Sequence, residues 1–208
     1  MKALFINGSP HVNGCTKRGL LEVEKILKEN GIETEWLEVG TKDIRGCIGC
    51  YYCRTHNKCV FNDIVNESAP KLAEADAVII GTPVYYAGPN GQLHSFLDRF
   101  FFSTATSINK TMKVGATVVS SRRAGSTSAF DDINKYFTIS AMPLAPSTYW
   151  NEVHGFTPEE VEKDLEGLQT MRNLGRNIAF MLKAFHQLKE KEGFPEQEGG
   201  ARTNFIGN

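Results

Sequence analysis

The 208-residue chain lacks an excess of charge of either sign: 23 Lys and Arg stand against 24 Asp and Glu, a formal net charge of −1. Such a balance recruits neither nucleic acid nor an anionic membrane over the whole surface. It is also not the strongly acidic balance of a small soluble electron carrier that docks on basic partners. Long hydrophobic runs are missing too. The opening MKALFINGSP has only four apolar residues, Ala3 to Ile6, before Asn7 and Gly8, too few for a signal-peptide core, and no later stretch approaches a membrane span. The expectation is a cytoplasmic protein with no membrane or nucleic-acid partner. The five cysteines are an odd number in a chain with no export signal, which argues against a disulfide framework and for reduced thiols, a metal or a cofactor. The dinucleotide pattern G-x-G-x-x-G and the triphosphate loop G-x-x-x-x-G-K-[ST] are both absent. His94, His154 and His186 form no His-x-x-x-His pair and no Ser/His/Asp set, so hydrolysis by a nucleophile or a metal has no support.

What is present fits one soluble α/β domain. Hydrophobic residues make up 41% and charged residues 23%, and the domain is expected over residues 1–190 with a polar, Gly-rich tail at 191–208. Strands are predicted at Lys2–Ile6, Ile32–Val39, Ala77–Gly81 and Lys113–Val119, with a weaker fifth at Leu144–Trp150. Helices are predicted at Lys17–Asn30, within Asp63–Glu74 despite Pro70, and at Gln92–Phe102 and Phe130–Ile139. A long one starts at Thr157 with Pro158 at its first position. Strand–loop–helix units in series imply crossover connections and a parallel sheet covered on both faces. Ligands then bind at the carboxyl ends of the strands.

The loop Asn7–Thr16 joins the first strand to the first helix. Gly8 and Gly14 relax its backbone, Ser9 and Thr16 offer hydroxyls, and Asn13 an amide. Together with the first free N–H groups of the helix this suits a phosphate monoester; the competing reading is a plain turn closed by a Ser or Thr cap. The pattern strand–GSP-x-x-x-G-x-T–helix resembles the phosphate loop of the NAD(P)H-dependent FMN reductases, whose fold is flavodoxin-like. His11 stands where that family often has Arg, and Cys15 where it often has Asn or Ser. The resemblance implies a three-layer α/β fold with a five-stranded parallel sheet and non-covalently bound FMN. It also implies hydride transfer from NAD(P)H and an acceptor that is a quinone, a flavin or another small molecule. The phosphate residues carried over are Ser9, His11, Asn13, Gly14, Cys15 and Thr16.

Two more segments carry the resemblance. GTPVYYAGPNG, residues 81–91, is similar to the family's flavin-ring segment and places Pro83, Val84, Tyr85, Tyr86, Ala87 and Gly88 at the ring; a flavin needs a flat apolar surface and backbone donors there. SSRRAGST, residues 120–127, is similar to the third loop and offers Ser121, Arg122, Arg123 and Gly125. Either arginine suits the charge at flavin N1 or the phosphate of NADPH; the bland alternative is two solvated arginines. Tyr86 and Arg122 are the best candidates for contact with the reacting ring, and no catalytic acid or base is assigned. Asp98–Arg99 reads as an ion-paired helix end that serves packing.

Cys47, Cys50, Cys53 and Cys59 form one compact run, C-x2-C-x2-C-x5-C. Zinc usually takes two separated pairs, whereas compact runs of this spacing are typical of [4Fe–4S] ligation. The run resembles that of the iron–sulfur flavoproteins, a related branch. It also resembles clusterless relatives in which the loop lies over the flavin near a subunit boundary. Cluster ligands, redox thiols and zinc all stay open. The cluster reading makes the protein an electron carrier fed by a ferredoxin-like partner. The family tends to form homodimers or homotetramers, for which the aromatic run Phe100–Phe102 and the Gly-rich tail are candidate contacts.

Overall fold

The computed structural model describes residues 1–201 and 203. Five parallel strands form one sheet in the order β2–β1–β3–β4–β5: β1 (Lys2–Asn7), β2 (Glu33–Glu38), β3 (Ala77–Pro83), β4 (Val114–Ser121) and β5 (Glu152–His154). The central strands β3 and β4 are buried almost throughout, as their runs of Ala, Val and Ile require. This is the doubly wound, flavodoxin-like order, with its reversal between β1 and β3.

One face of the sheet is covered by α1 (Cys15–Glu29), α6 (Pro158–Val161) and α7 (Leu165–Glu192), whose Leu20, Val23, Met171, Leu174 and Ile178 form one core with Phe5 and Val118. The opposite face carries α3 (Ile64–Glu74), α4 (Gly91–Ser103) and α5 (Ser126–Thr138), and its core holds Leu72, Phe96, Phe100, Ile133 and Phe137. The short α2 (Cys53–His56) lies within the cysteine segment. No helix among the described residues is long and apolar enough to cross a membrane.

Three expectations are corrected, on the fifth strand, the final helix and the aromatic run. The fifth strand is Glu152–His154, not Leu144–Trp150. Only Leu144 bridges Gly115; Pro146 has no N–H to extend the ladder, and pairing resumes when Asn151 accepts from Val119. The final helix is broken, because Asp164 starts a new one: its side chain accepts from the N–H of Gly167 at 2.9 Å and of His154 at 2.7 Å. That helix runs to Glu192, and residues 202 and 204–208 of the expected tail lie outside the described residues. Helix α3 forms across Pro70 as expected, with its buried Val65, Ser68 and Leu72 holding it on the core. Phe100 and Phe101 are core residues, so of the aromatic run only Phe102 is exposed.

Candidate functional site

The register of the sheet sets the loops after β1, β3 and β4 side by side, since Asn7 pairs with Gly81 and Pro83 with Ser120. The first loop is tied down from below. Buried Asn7 accepts from the Ser9 N–H at 3.1 Å and donates to Glu38 at 2.7 Å, and Glu38 takes Lys17 at 2.9 Å. Ser9 Oγ accepts from His11 N–H at 3.1 Å, and His11 C=O accepts from Gly14 N–H at 2.9 Å. Gly40 passes so close behind that a Cβ there would lie 2.3 Å from the Ser9 carbonyl. Helix α1 begins two residues earlier than expected and has Gly14 at its cap with no side-chain acceptor, so its first-turn amides stay open to the loop. Ser9 and Thr16 are buried, and Thr16 Oγ1 meets Ser120 Oγ at 2.7 Å; His11 and Asn13 are exposed. The Cys15 thiol donates to Gly155 C=O at 3.5 Å, and burial pushes its pKa up, so it adds only its backbone to the cradle.

The second loop is a tight turn. Tyr85 and Gly88 exchange N–H···O=C bonds of 2.8 and 3.0 Å around Tyr86 (φ 50°) and Ala87 (φ 60°). Two successive non-glycine residues in the left-handed region cost about 1–2 kcal/mol each, a strain that concentrates at functional sites. The turn leaves the Tyr86 side chain fully exposed over the strand ends. Pro83 and Val84 are half-buried beneath it, with Val84 N–H bonded to Ser120 C=O at 3.0 Å. Gly125 (φ 90°) touches the turn, as a Cβ there would lie 2.8 Å from Ala87 Cα. Arg122 and Arg123 are exposed beside it, whereas Ser121 is the buried last residue of β4 rather than a loop residue. The structure therefore brings together the expected phosphate and ring residues along one edge of the sheet.

The four cysteines are on another wall. Cys47, Cys50, Cys53 and Cys59 line one cavity together with Ile48, Tyr51, Val60, Phe61, Arg99 and Phe102. Gly49, Tyr51 and Asn57 all take left-handed backbone to fold this segment. Burial, reinforced by the neighbouring Cys47, Cys50 and Cys59, pushes the Cys53 thiol up, so the sulfurs lie within one another's field. Among the described residues, no three Cys, His, Asp or Glu side chains close to ligand distance as placed. The cavity is walled by α4 from Arg99 to Ser103, about 12–18 Å along the helix from its start at the strand ends. The cysteine loop is thus displaced along α4 from the loops after β1, β3 and β4.

Sequence reading missed what holds that wall. Arg99 is not paired with Asp98, which instead accepts from the Tyr136 hydroxyl. Arg99 is 1% exposed and forms a two-pronged pair with Asp63, 2.8 Å on each prong. It also donates to Cys59 Sγ at 3.2 Å and to Arg45 C=O at 3.2 Å. Burial opposes its charge, but Asp63 and Cys59 outweigh this and hold its pKa above the ordinary value. Asn66 grips Cys59 from α3, accepting from its N–H at 2.8 Å and donating to its C=O at 3.0 Å. The only local signal for Asp63 was an Asp directly before a helix.

A sequence profile described as NADPH-dependent FMN reductase matches residues 1–157. The chain belongs to the NADPH-dependent FMN reductase family. Among relatives of this FMN reductase family member is an iron–sulfur flavoprotein of Methanocaldococcus jannaschii, 33% identical over 193 residues that make up 88% of this chain and 98% of the relative. Two solved structures share the fold. RosB, solved with an 8-demethyl-8-formylriboflavin-5'-phosphate intermediate bound, has a TM-score of 0.71 at 15% identity, covering 100% of this chain and 92% of its own. The NAD(P)H:quinone oxidoreductase of Methanothermobacter marburgensis has a TM-score of 0.64 at 15% identity, covering 86% of this chain and 96% of its own.

Proposed function

We propose that the protein binds FMN along the strand ends and uses it as an NAD(P)H-dependent oxidoreductase. The observation that carries this is the union of an uncapped helix start at Gly14 with the strained Tyr86–Ala87 turn on one sheet edge. The residues fit the nucleotide. The open amides of α1 with Ser9 and Thr16 suit its phosphate, and the backbone from Val84 to Gly88 with the face of Tyr86 suits its ring. When bound, FMN supplies the chemistry of accepting a hydride from NAD(P)H and releasing electrons to a small-molecule acceptor. The chain orients that ring, keeps water from its buried face through Pro83 and Val84, and sets Arg122 and Arg123 at the edge where negative charge collects. Exposed aromatic side chains, among them Tyr86, Phe156 and the adjoining Tyr149 and Trp150, suit contact with a second copy in a homodimer or homotetramer. Titration of the anaerobically purified protein with FMN is the test. A flavin spectrum bleached by NADPH or NADH is expected, and folded protein with no affinity for FMN would end the proposal.

A second reading has a specific observation in its favour: all four thiols of the compact run line one cavity. The soft, all-sulfur donor set suits a [4Fe–4S] cluster held by Cys47, Cys50, Cys53 and Cys59. The 33% identical relative carries the name iron–sulfur flavoprotein. On this reading the protein passes single electrons between the two sites and takes them from a ferredoxin-like partner. Iron and sulfide analysis of anaerobic protein decides it. Absence of both after reconstitution, with FMN still bound, leaves the first reading alone.

A further inference from the structure

We infer that Arg99 is a potential-setting positioning residue for the group held by the four cysteines, acting through Cys59. The inference rests on the second reading above. A guanidinium that is 1% exposed is costly to bury; Asp63 takes it on two prongs, and the carbonyls of Arg45 and Phe61 take the other terminal N–H groups. Its remaining Nε–H is instead aimed at Cys59 Sγ at 3.2 Å. The backbone that carries the sulfur is fixed by Asn66, which holds the Cys59 N–H and C=O, while Asp63 fixes the donor. The Arg99 guanidinium also lies 5.0 Å from the centre of the Phe61 ring, which keeps water from its flank. Among the described residues, no comparable buried cation is held against the other three thiols. Lys58 and Arg54 are exposed, and Arg45 is exposed with its guanidinium 4.7 Å from the centre of the same Phe61 ring.

Each electron delivered to that site adds one negative charge to the sulfur-bound group, and no proton needs to move. A buried cation hydrogen-bonded to one ligand sulfur favours the more negative state and raises the reduction potential. Asp63 offsets part of that effect by pairing with the same guanidinium. The two residues therefore act on the site with opposite sign, which a purely architectural pair would not do.

The experiment compares wild type, Arg99→Lys and Asp63→Asn after anaerobic reconstitution with iron and sulfide, with metal content and thermal unfolding measured for each. Arg99→Lys loses the fixed Nε–H and is expected to disfavour the added electron about tenfold, a potential lower by ~59 mV for a one-electron couple. Asp63→Asn keeps the helix-capping oxygen but frees the charge of Arg99, and its potential is expected to rise. If Arg99→Lys does not fold, the direction of shift in Asp63→Asn carries the test. Unchanged potentials at full iron content, or shifts of the same sign in both variants, would overturn the inference. Cobalt(II) titration into the apoproteins, read by thiolate-to-metal absorption, separates this from the reading it rests on. Failure of wild type to take up iron and sulfide removes the cluster, yet about tenfold weaker cobalt binding in Arg99→Lys still supports the role of Arg99 at the sulfurs, and equal binding overturns it. If wild type takes up neither metal, both fall.

Discussion

The phosphate-loop side and the cysteine side of the molecule solve one problem, holding an irregular segment still, by different means. The loop after β1 is fixed by close backbone approach and by short polar side chains bonded to backbone: Gly40 presses against Ser9, the Asn7 side chain accepts from the Ser9 N–H, and α1 continues directly from the loop into the core. The cysteine segment has no strand to lean on and one helix of only four residues. Two polar side chains, Arg99 from α4 and Asn66 from the adjoining α3, hold it instead. A cradle for a constant phosphate needs only close approach and open amides. A sulfur-lined cavity needs its electrostatics set as well, and only side chains carry charge.

The sharpest way to break this comparison is Gly40→Ala. The new Cβ would meet the Ser9 carbonyl at 2.3 Å and the Gly8 carbonyl oxygen at 2.4 Å, with rigid backbone on both sides. The expected outcome is a destabilisation of about 1–3 kcal/mol and an FMN affinity down at least tenfold, with cobalt binding at the cysteines retained. Fluorescence titration with FMN checks it, and loss of both activities together would mean the two regions are not independent. Asn66→Ala is the converse. It strands the Cys59 N–H and C=O and should cost roughly 1–2 kcal/mol in chemical unfolding, weakening metal uptake while FMN binding stays.

Acid should act on the phosphate side first. Burial opposes ionisation of Glu22 on α1, but bonds from Arg172 at 2.6 Å and Arg18 at 2.9 Å outweigh it and hold its carboxyl below the ordinary 4.5. Because the folded-state value is lowered, the stability it contributes is present above pH 4.5 and is lost as pH falls through the lowered value. Hydrogen exchange should show α1 and α7 loosening there, and Glu22→Gln should flatten that acid limb at a cost of about 1 kcal/mol at neutral pH. The smallest effect is expected from Ala87→Gly. Relief of the left-handed strain at φ 60°, less the entropy of glycine, should yield a net gain under ~1 kcal/mol in thermal unfolding, while a looser turn binds FMN a few-fold more weakly.

Much of this was written in local sequence. The buried strands follow from runs such as AVII in β3, and the phosphate loop follows from small and hydroxyl residues between a strand and a helix. Four cysteines in one short segment announced a sulfur site, and the structure sets all four on one cavity. Other features were not legible. Leu144–Trp150 follows Pro143 and contains Pro146, and the true β5 is chosen by its fit beside β4. The break at Asp164 depends on a carboxylate that also reaches back to His154. Arg99 beside Asp98 looked like a self-contained pair, yet its partner lies 36 residues away.

The sequence by itself determined the alternation of strands and helices, the anion-binding turn and the set of sulfurs, because each depends on backbone propensity and residue chemistry within a few positions. Only the tertiary structure decided that Arg99 turns inward to Asp63 and Cys59, that the strained Tyr86 turn abuts Gly125, and that the thiols lie along α4 away from their own chain's strand ends. Those choices depend on which distant group is left to satisfy a buried charge or fill a gap once the core has closed, and one-dimensional spacing does not encode that.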